Sequence, residues 1–438
     1  MIGHLKYGKA FVWVASSLLY FHIGYFLERT EFPILIFDIT LLFILYYYSI
    51  KYFEFNWLSI VFFRIVLIAS TPALSDDYFR FIWDGNLLND GINPFEYLPS
   101  ELTKNAIYDG LNSKHYYSVY PPLLQLVFGM AAFIAKGNVL VNIIILRSTI
   151  IFAEIGSIYL IIKILSYFKL QKNRALIYAL NPLVIIELTG NIHFEGISIF
   201  FVLLTFFFLI CLPSLSKYLL LSAISLACAA LIKLLPLLFL PLIFGRLGWK
   251  RGTLFAITVG AFVGLAFIPF LNLMIIRNIS ESLNLYFQKF EFNASIYYLV
   301  KYLGIWINDN NPIEVAGPIL SLIGFLTILW ISFKKQSFLN LDLQFMKRAL
   351  LILSIYFFMA TTVHPWYLST IVCFVSFTNF KYPLWWSFLV FLSYSAYQNA
   401  EFKENMWLIG FEYLVVLGLF YLDFLKNKNS QDLSTANP

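Results

Sequence analysis

Two adjacent carboxylates, Asp76 and Asp77, follow Ser75 at the end of an apolar run, with Arg80, Trp83 and Asp84 close behind. Acids at the edge of an apolar run are costly unless they face water or a partner. Like charges this close tend to raise one of the two pKa values, and a carboxylate poised near neutrality is what general-base chemistry needs. The same residues also suit a solvated helix cap, because Ser and Asp are favoured N-cap types. A second set follows Asn181-Pro182 and comprises Glu187, Asn191, His193 and Glu195. Pro182 permits a kink. Glu187, His193 and Glu195 suit metal binding, activation of a hydroxyl, or plain interfacial solvation. Three ligand-type residues do not define a metal site, so a divalent cation, Mg or Mn, is left open and no cofactor is assigned. Lys233, in Ile232-Lys233-Leu234-Leu235-Pro236, either snorkels or pairs with an anion. Tyr120-Pro121-Pro122-Leu123 opens a helix well, because Pro fits the first turn. His364-Pro365-Trp366-Tyr367 combines a titratable ring with two aromatics, a mixture that membrane interfaces also carry.

The elements that must position these residues follow from composition. The chain has 438 residues, of which 60% are hydrophobic, 19% aromatic and 12% charged. Soluble domains carry about 25% charged residues. A soluble fold cannot hide so much apolar surface, so an ordinary soluble enzyme, a disordered chain and a disulfide scaffold are excluded. The pattern is that of an all-α polytopic membrane protein. The net charge of +6 is no nucleic-acid signal, because the basic residues stand singly or in short groups between apolar runs, as cytoplasmic loops do. Cys211, Cys228 and Cys373 each lie within an apolar stretch without a CxxC and read as small core residues.

Apolar runs fall at about 10–27, 33–50, 57–73, 142–165, 174–190, 195–212, 217–232, 235–246, 252–271, 315–333, 347–362, 366–380, 383–397 and 406–424, which predicts about 13–14 transmembrane helices. Lys6 and Lys9 precede the first run and no small-residue cleavage site follows it, so it reads as an uncleaved span with a cytoplasmic N-terminus. The polar segment 74–120 then lies outside. Downstream of Lys163, only Arg277, Lys289, Lys301 and Lys403 fall in outer loops if 121–135 does not cross. Making 121–135 a span would invert that bias, which the positive-inside rule disfavours. At 1.5 Å per residue this stretch is also shorter than the roughly 30 Å hydrocarbon core. It is therefore read as an outer interfacial or re-entrant helix. The expected organisation is one transmembrane domain over 1–425, with an outer loop at 74–120 and an interfacial helix at 121–135. A polar, unstructured cytoplasmic tail follows over 426–438. Asp38, Arg64 and Glu154 are charges inside apolar runs, and Arg64 with Asp38 is one candidate interhelical pair. All the polar clusters then share the outer side, where convergent polar groups beside an apolar groove suit a lipid with a polar head.

Ser75-Asp76-Asp77-x-x-Arg80-x-x-Trp83-Asp84-Gly85, followed by Gly91-Ile92-Asn93-Pro94, resembles the first outer loop of GT-C-fold bacterial glycosyltransferases, notably mannosyltransferases that use polyprenyl-phosphate sugars. Tyr120-Pro121-Pro122-Leu123, Asn181-Pro182-Leu183, Lys233-Leu234-Leu235-Pro236 and His364-Pro365-Trp366-Tyr367 continue the resemblance in order, so that it runs from about 57 to 380. It implies a GT-C-like bundle in the plasma membrane, with interfacial helices in the first outer loop. The implied reaction moves a hexose, mannose by resemblance, from a polyprenyl-phosphate carrier to a glycan, lipid or protein acceptor. Asp76 or Asp77 matches the acid that acts as base or positions the acceptor. In an inverting transfer the leaving group is already a phosphate, so cations rather than a strong acid are required. Arg80, Lys233 and His364 are the candidates. Trp83, Asp84, Tyr120, Glu187, His193, Glu195, Trp366 and Tyr367 are candidate substrate contacts. Related proteins carry Asn-Asp after the histidine where this chain has Phe194-Glu195, a departure that leaves the role of the second loop open.

No GxGxxG or P-loop is present, which argues against a nucleotide-sugar donor. The competing reading is a flippase or transporter of lipid-linked sugars without chemistry. Transporters place their sites near the midplane within paired repeats, whereas this chain shows no convincing repeat and clusters its polar residues at one edge. An O-antigen polymerase or ligase is expected to have its large loop late in the chain rather than at 74–120.

Overall fold

The computed structural model describes residues 2–213, 216–288, 290–334, 341–399 and 401–435. Lys289 and the last residues of the polar tail therefore lie outside the described residues. The apolar runs become helices, and among the described residues the sole strand-like pairing is the isolated bridge between Phe292 and Thr362. In chain order the first helices are α1 (Ile2–Tyr25), α2 (Phe32–Tyr52), α3 (Trp57–Val66), α4 (Asp77–Asn89), α5 (Ala106–Asp109) and α6 (Pro122–Ala135). The middle of the chain contributes α7 (Val139–Tyr167), α8 (Leu176–Ala179), α9 (Glu195–Phe206), α10 (Ser216–Ile232), α11 (Leu240–Phe267) and α12 (Ile275–Gln288). The last six are α13 (Ile296–Asn308), α14 (Ile313–Phe333), α15 (Leu341–Met359), α16 (Ser369–Val375), α17 (Tyr382–Leu389) and α18 (Met406–Thr435).

Five described stretches are long and apolar enough to cross a membrane: Phe32–Tyr52, Val139–Tyr167, Leu235–Phe270, Ile313–Phe333 and Met406–Lys426. The pair Val184–Gly190 and Glu195–Cys211, bent by 112°, makes a sixth if counted as one span. The chain is an all-α, multi-pass membrane protein. Fewer continuous spans appear than there are apolar runs, because several runs are interrupted. The run 174–190, for example, is divided into 3-10, α and π pieces. At its far end, α18 continues through Thr435 instead of giving way to an unstructured tail near Lys426. Nothing between those residues breaks a helix, and the first proline is Pro438.

One long stretch is sharply kinked. Leu235–Phe270 has 36 residues, which at 1.5 Å per residue would far overshoot a bilayer core of about 30 Å. Gly248 divides it with φ 73° and ψ 174°, a conformation open to glycine at little steric cost. Just before it, Arg246 pairs with Asp342 at the start of α15. Lys233 pairs with Glu195, and the Phe270 carbonyl accepts a hydrogen bond from Asn93 of the first loop. Gly248 thus breaks the helix between the two apolar runs 235–246 and 252–271.

Helix α6 begins at a cavity wall and ends at a left-handed turn. Tyr120 and Pro121, at its start, line the main cavity. Its end leads through Lys136 in the left-handed conformation to α7, where Arg147 reaches the carbonyls of Ile68, Thr189 and Gly190. Helix α6 packs along α4, where Gly85 lies so close that a Cβ would meet the Phe128 carbonyl oxygen at 2.4 Å.

The buried charges pair differently from expectation. Arg64 binds Glu154 at 2.8 Å, with both side chains fully buried. Arg64 also donates to the Ile60 and Ala179 carbonyls, and Thr189 donates to the second Glu154 oxygen. Asp38 meets His22 instead, at 2.6 Å. Local spacing could not distinguish these partners, because all four residues lie on different helices.

Candidate active site

A cavity of about 790 Å³ opens on the face where α4 and α6 lie. It brings together Asp76, Asp77, Arg80, Tyr120, Glu195, Lys233, His364, Trp366 and Tyr367, drawn from positions spread over most of the chain.

At one end are the adjacent acids. Asp76 occupies the N-cap position of α4, but its side chain makes no capping hydrogen bond; it pairs with Arg29 at 2.6 Å. Asp77 begins the helix, where a negative charge is favoured by the helix dipole. Its Oδ1 accepts from Asn112 at 2.9 Å, and its backbone N–H reaches the Ser75 hydroxyl. The two carboxylates thus have separate partners, one a guanidinium and the other a neutral amide.

Lys233 marks another part of the wall. Its ammonium lies 3.1 Å from Glu195 and 5.5 Å from the centroid of the Tyr120 ring. Nearby, Trp366 is sandwiched between two imidazoles, His193 at 3.8 Å and His364 at 4.4 Å, with interplanar angles of 14° and 3°. Burial pushes the His364 pKa down to about 3, with opposition from Asp77 and reinforcement from His193 and Lys233. His364 is therefore neutral near pH 7. It can donate a hydrogen bond to a phosphate but does not supply the positive charge expected of it.

From these polar groups the cavity extends along an apolar arm. Ile199 and Val202 of α9, Leu238 and Phe239 before α11, Ile328 of α14 and Phe357 of α15 line it. Phe325, also on its wall, is 49% exposed on the outer surface of the bundle, so the arm reaches the surface that lipid would cover.

Four expected contact residues do not line this cavity. Trp83 packs with Leu87, Tyr108 and Leu111 in a small buried cluster. Asp84 accepts from Arg80 Nε at 2.7 Å, Ser118 at 2.5 Å and Gln125 at 2.9 Å. Glu187 and His193 are buried behind the cavity wall. The physical reason is packing: Asp84 and Glu187 are held by hydrogen bonds from protein groups, and Trp83 and His193 are held by ring contacts with Tyr108 and Trp366. Arg80 does line the cavity, yet Nη1 donates to the Ser113 and Tyr116 carbonyls and Nε to Asp84, so it chiefly fastens the first loop. Among the described residues, no group of three His, Cys, Asp or Glu side chains converges as metal ligands would. Glu187, His193 and Glu195, close in sequence, are therefore no ready-made cation site.

Several cavity residues carried no recognisable sequence signal. Arg29, in the polar break between α1 and α2, also places its guanidinium 5.0 Å from the Tyr397 ring. Asn112 and Glu404 complete the polar wall. Burial pushes the Glu404 pKa up, against hydrogen bonds from Tyr298 and the Asn293 N–H. Interleaved charges at Glu28-Arg29-Thr30-Glu31 were the one hint for Arg29.

Residues 54–247 match the MptA_B family, described as alpha-(1->6)-mannopyranosyltransferase, N-terminal domain. The match takes in the acidic loop, Tyr120, the Glu187–Glu195 segment and Lys233, and ends before His364. No curated protein matches the chain. The fold is that of a multi-pass membrane protein, and residues 54–247 are similar to a family of membrane glycosyltransferases. Within that class the family match agrees with the mannosyltransferase-like resemblance carried by the ordered motifs.

Proposed function

We propose that the protein transfers mannose from a polyprenyl-phosphate carrier to an acceptor hydroxyl, with inversion at the anomeric carbon. The observation that carries this reading is the cavity itself, which joins paired acids, a lysine and an apolar arm open to the bundle surface. Such an arm suits a polyprenyl chain, and a nucleotide-sugar would leave it unfilled. Asp77 is the better base of the two acids. The Arg29 guanidinium already occupies the Asp76 carboxylate and competes with an incoming hydroxyl for it, whereas Asp77 holds only a neutral amide by its side chain.

In the reaction the acceptor oxygen attacks the anomeric carbon and its proton passes to Asp77. The bond from that carbon to the phosphate oxygen breaks, and the polyprenyl phosphate leaves with the electron pair. Lys233 and the neutral His364 ring receive the growing phosphate charge, the first by its ammonium and the second by an N–H. Electrostatic stabilisation of this kind is commonly the largest catalytic contribution. The family description names an α-(1→6) mannoside. An inverting enzyme forming that linkage must consume a β-linked donor.

The orientation follows from charge. The bundle end remote from the cavity carries Arg246, joined to Asp342, and Arg174, bonded to the Ser376 and Thr378 carbonyls. Basic residues favour the cytoplasmic side, so the cavity faces outward from the plasma membrane, with both termini inside. The catalytic domain spans 1–425, and 74–120 and 121–135 form its outer loop and interfacial helix. The test is transfer of radiolabelled mannose from polyprenyl-phosphate mannose to a synthetic α-(1→6)-mannobioside by purified protein. Transfer that disappears in the folded Asp76→Asn/Asp77→Asn variant supports the reading; unchanged transfer by that variant removes both acids from catalysis.

A further inference from the structure

Glu187, Asn191 and His193 touch both chemical ends of the cavity from behind. The Leu74 N–H donates to Asn191 Oδ1 at 3.1 Å, and Leu74 directly precedes the Ser75-Asp76-Asp77 turn. Asn191 Nδ2 donates to Glu187 Oε2 at 3.2 Å, while the Tyr394 hydroxyl donates to Glu187 Oε1 at 2.7 Å. The Glu187 carbonyl lies 2.9 Å from His193 Nδ1, and His193 stacks on Trp366, which stacks on His364. The acid turn and the His364 motif, remote in sequence, are thus joined through one short segment. All three residues are almost fully buried.

The backbone of this segment is unusual. Residues Val184–Gly190 form a π-helix, a form found frequently at functional sites. Ile192 has φ 58° and is fully buried; a β-branched residue in the left-handed region is a steric outlier. Such strain persists where surrounding contacts over-determine it. Here Arg147 holds the Thr189 and Gly190 carbonyls, and the Asn191 and His193 bonds hold the other side.

We infer that Glu187, Asn191 and His193 are positioning residues that set the acid turn and the Trp366–His364 stack at a fixed separation, without touching substrate. This rests on the proposed transfer reaction. The two arms of the bridge then govern different steps. Asn191 sets the acid turn, where the acceptor proton leaves. His193 sets the ring that meets the donor phosphate.

The test measures kcat and donor KM for Asn191→Ala, His193→Ala and His193→Phe, with polyprenyl-phosphate mannose and the α-(1→6)-mannobioside. Binding of a fluorescent polyprenyl phosphate to the same proteins in nanodiscs is measured alongside. Misplacing a reacting group by about 1 Å costs on the order of 100-fold, so Asn191→Ala is expected to lower kcat by about ten- to a hundredfold with donor KM and phosphate binding unchanged. His193→Ala is expected to weaken both donor KM and phosphate binding, and His193→Phe, which keeps the stack, to restore them. If Asn191→Ala fails to fold, Tyr394→Phe, which removes only the hydroxyl held by Glu187, is read in the same way. The inference is overturned if both arms change the same parameter, or if the folded fractions keep wild-type constants and binding. Absence of transfer by the wild-type protein would count against the proposed function alone, and the phosphate-binding contrast between His193→Ala and His193→Phe would still decide the bridge.

Discussion

Replacing Asp77 by Asn separates catalysis from structure at the acid turn. The Asn112 amide that donates to Asp77 Oδ1 still finds an oxygen acceptor at the same place, and the contact between the backbone N–H and Ser75 is untouched. What is lost structurally is a negative charge in the first turn of α4, worth about 0.3–1 kcal/mol. What is lost chemically is the base. General-base help contributes about 10²–10⁴-fold, or about 2.7–5.4 kcal/mol of barrier at 1.36 kcal/mol per decade. The rate effect should therefore exceed the stability effect severalfold. Asp76→Asn should behave in the opposite sense. It breaks a partly exposed pair with Arg29, which costs about 0–1 kcal/mol, and should slow transfer less than Asp77→Asn. The assay is the initial rate of mannose transfer at saturating donor and acceptor, with thermal unfolding of the same samples. A Asp77→Asn protein within tenfold of wild type, beside an Asp76→Asn protein that is inactive but folded, would refute the assignment of the base.

Other perturbations test the frame. Arg64→Met leaves the Glu154 carboxylate buried without its ion pair, and breaking such pairs costs about 3–5 kcal/mol; a marked fall in Tm and in folded yield should follow. Gly85→Ala drives a Cβ into the Phe128 carbonyl. Overpacking of this kind costs about 1–3 kcal/mol, and Tm should fall together with activity, because α4 carries Asp77 and Arg80. His364 is held neutral by burial, with a pKa near 3 in the folded protein against about 6.5 in an unfolded chain. Between those values the unfolded chain binds the extra proton, so the native state is stabilised fully above about pH 6.5 and progressively less toward pH 3. Thermal scans from pH 7 to pH 4 should show His364→Phe losing less stability on acidification than the wild type. Lys233→Gln should raise the donor KM, and a normal KM in that variant would remove Lys233 from phosphate binding.

The architecture was legible because composition and apolar runs report directly on burial in lipid. The break at Gly248 falls between two apolar runs read from the sequence, 235–246 and 252–271. Chemistry-bearing positions were legible to the extent that each stood out against an apolar background, as Asp76, Asp77, Lys233 and His364 do. Partners were not legible, because they depend on which helices meet. Arg64 pairs with Glu154 rather than Asp38, and Arg29 meets Asp76 across a long stretch of chain. Asp84 and Glu187 look like site residues in sequence for the same reason that they are buried network hubs: both roles place a carboxylate in apolar surroundings. His364 shows a further limit, since its charge state depends on burial that its neighbours Pro365 and Trp366 do not reveal.

The most direct test of the account offers purified protein in nanodiscs three donors with the α-(1→6)-mannobioside acceptor: β-linked polyprenyl-phosphate mannose, its α-anomer, and GDP-mannose. The account predicts an α-linked product from the β-linked lipid donor alone. Transfer from GDP-mannose, or from the α-linked lipid, would contradict the donor class or the inverting mechanism. No transfer from any lipid-linked sugar, together with movement of those lipids across proteoliposomes, would identify a transporter instead.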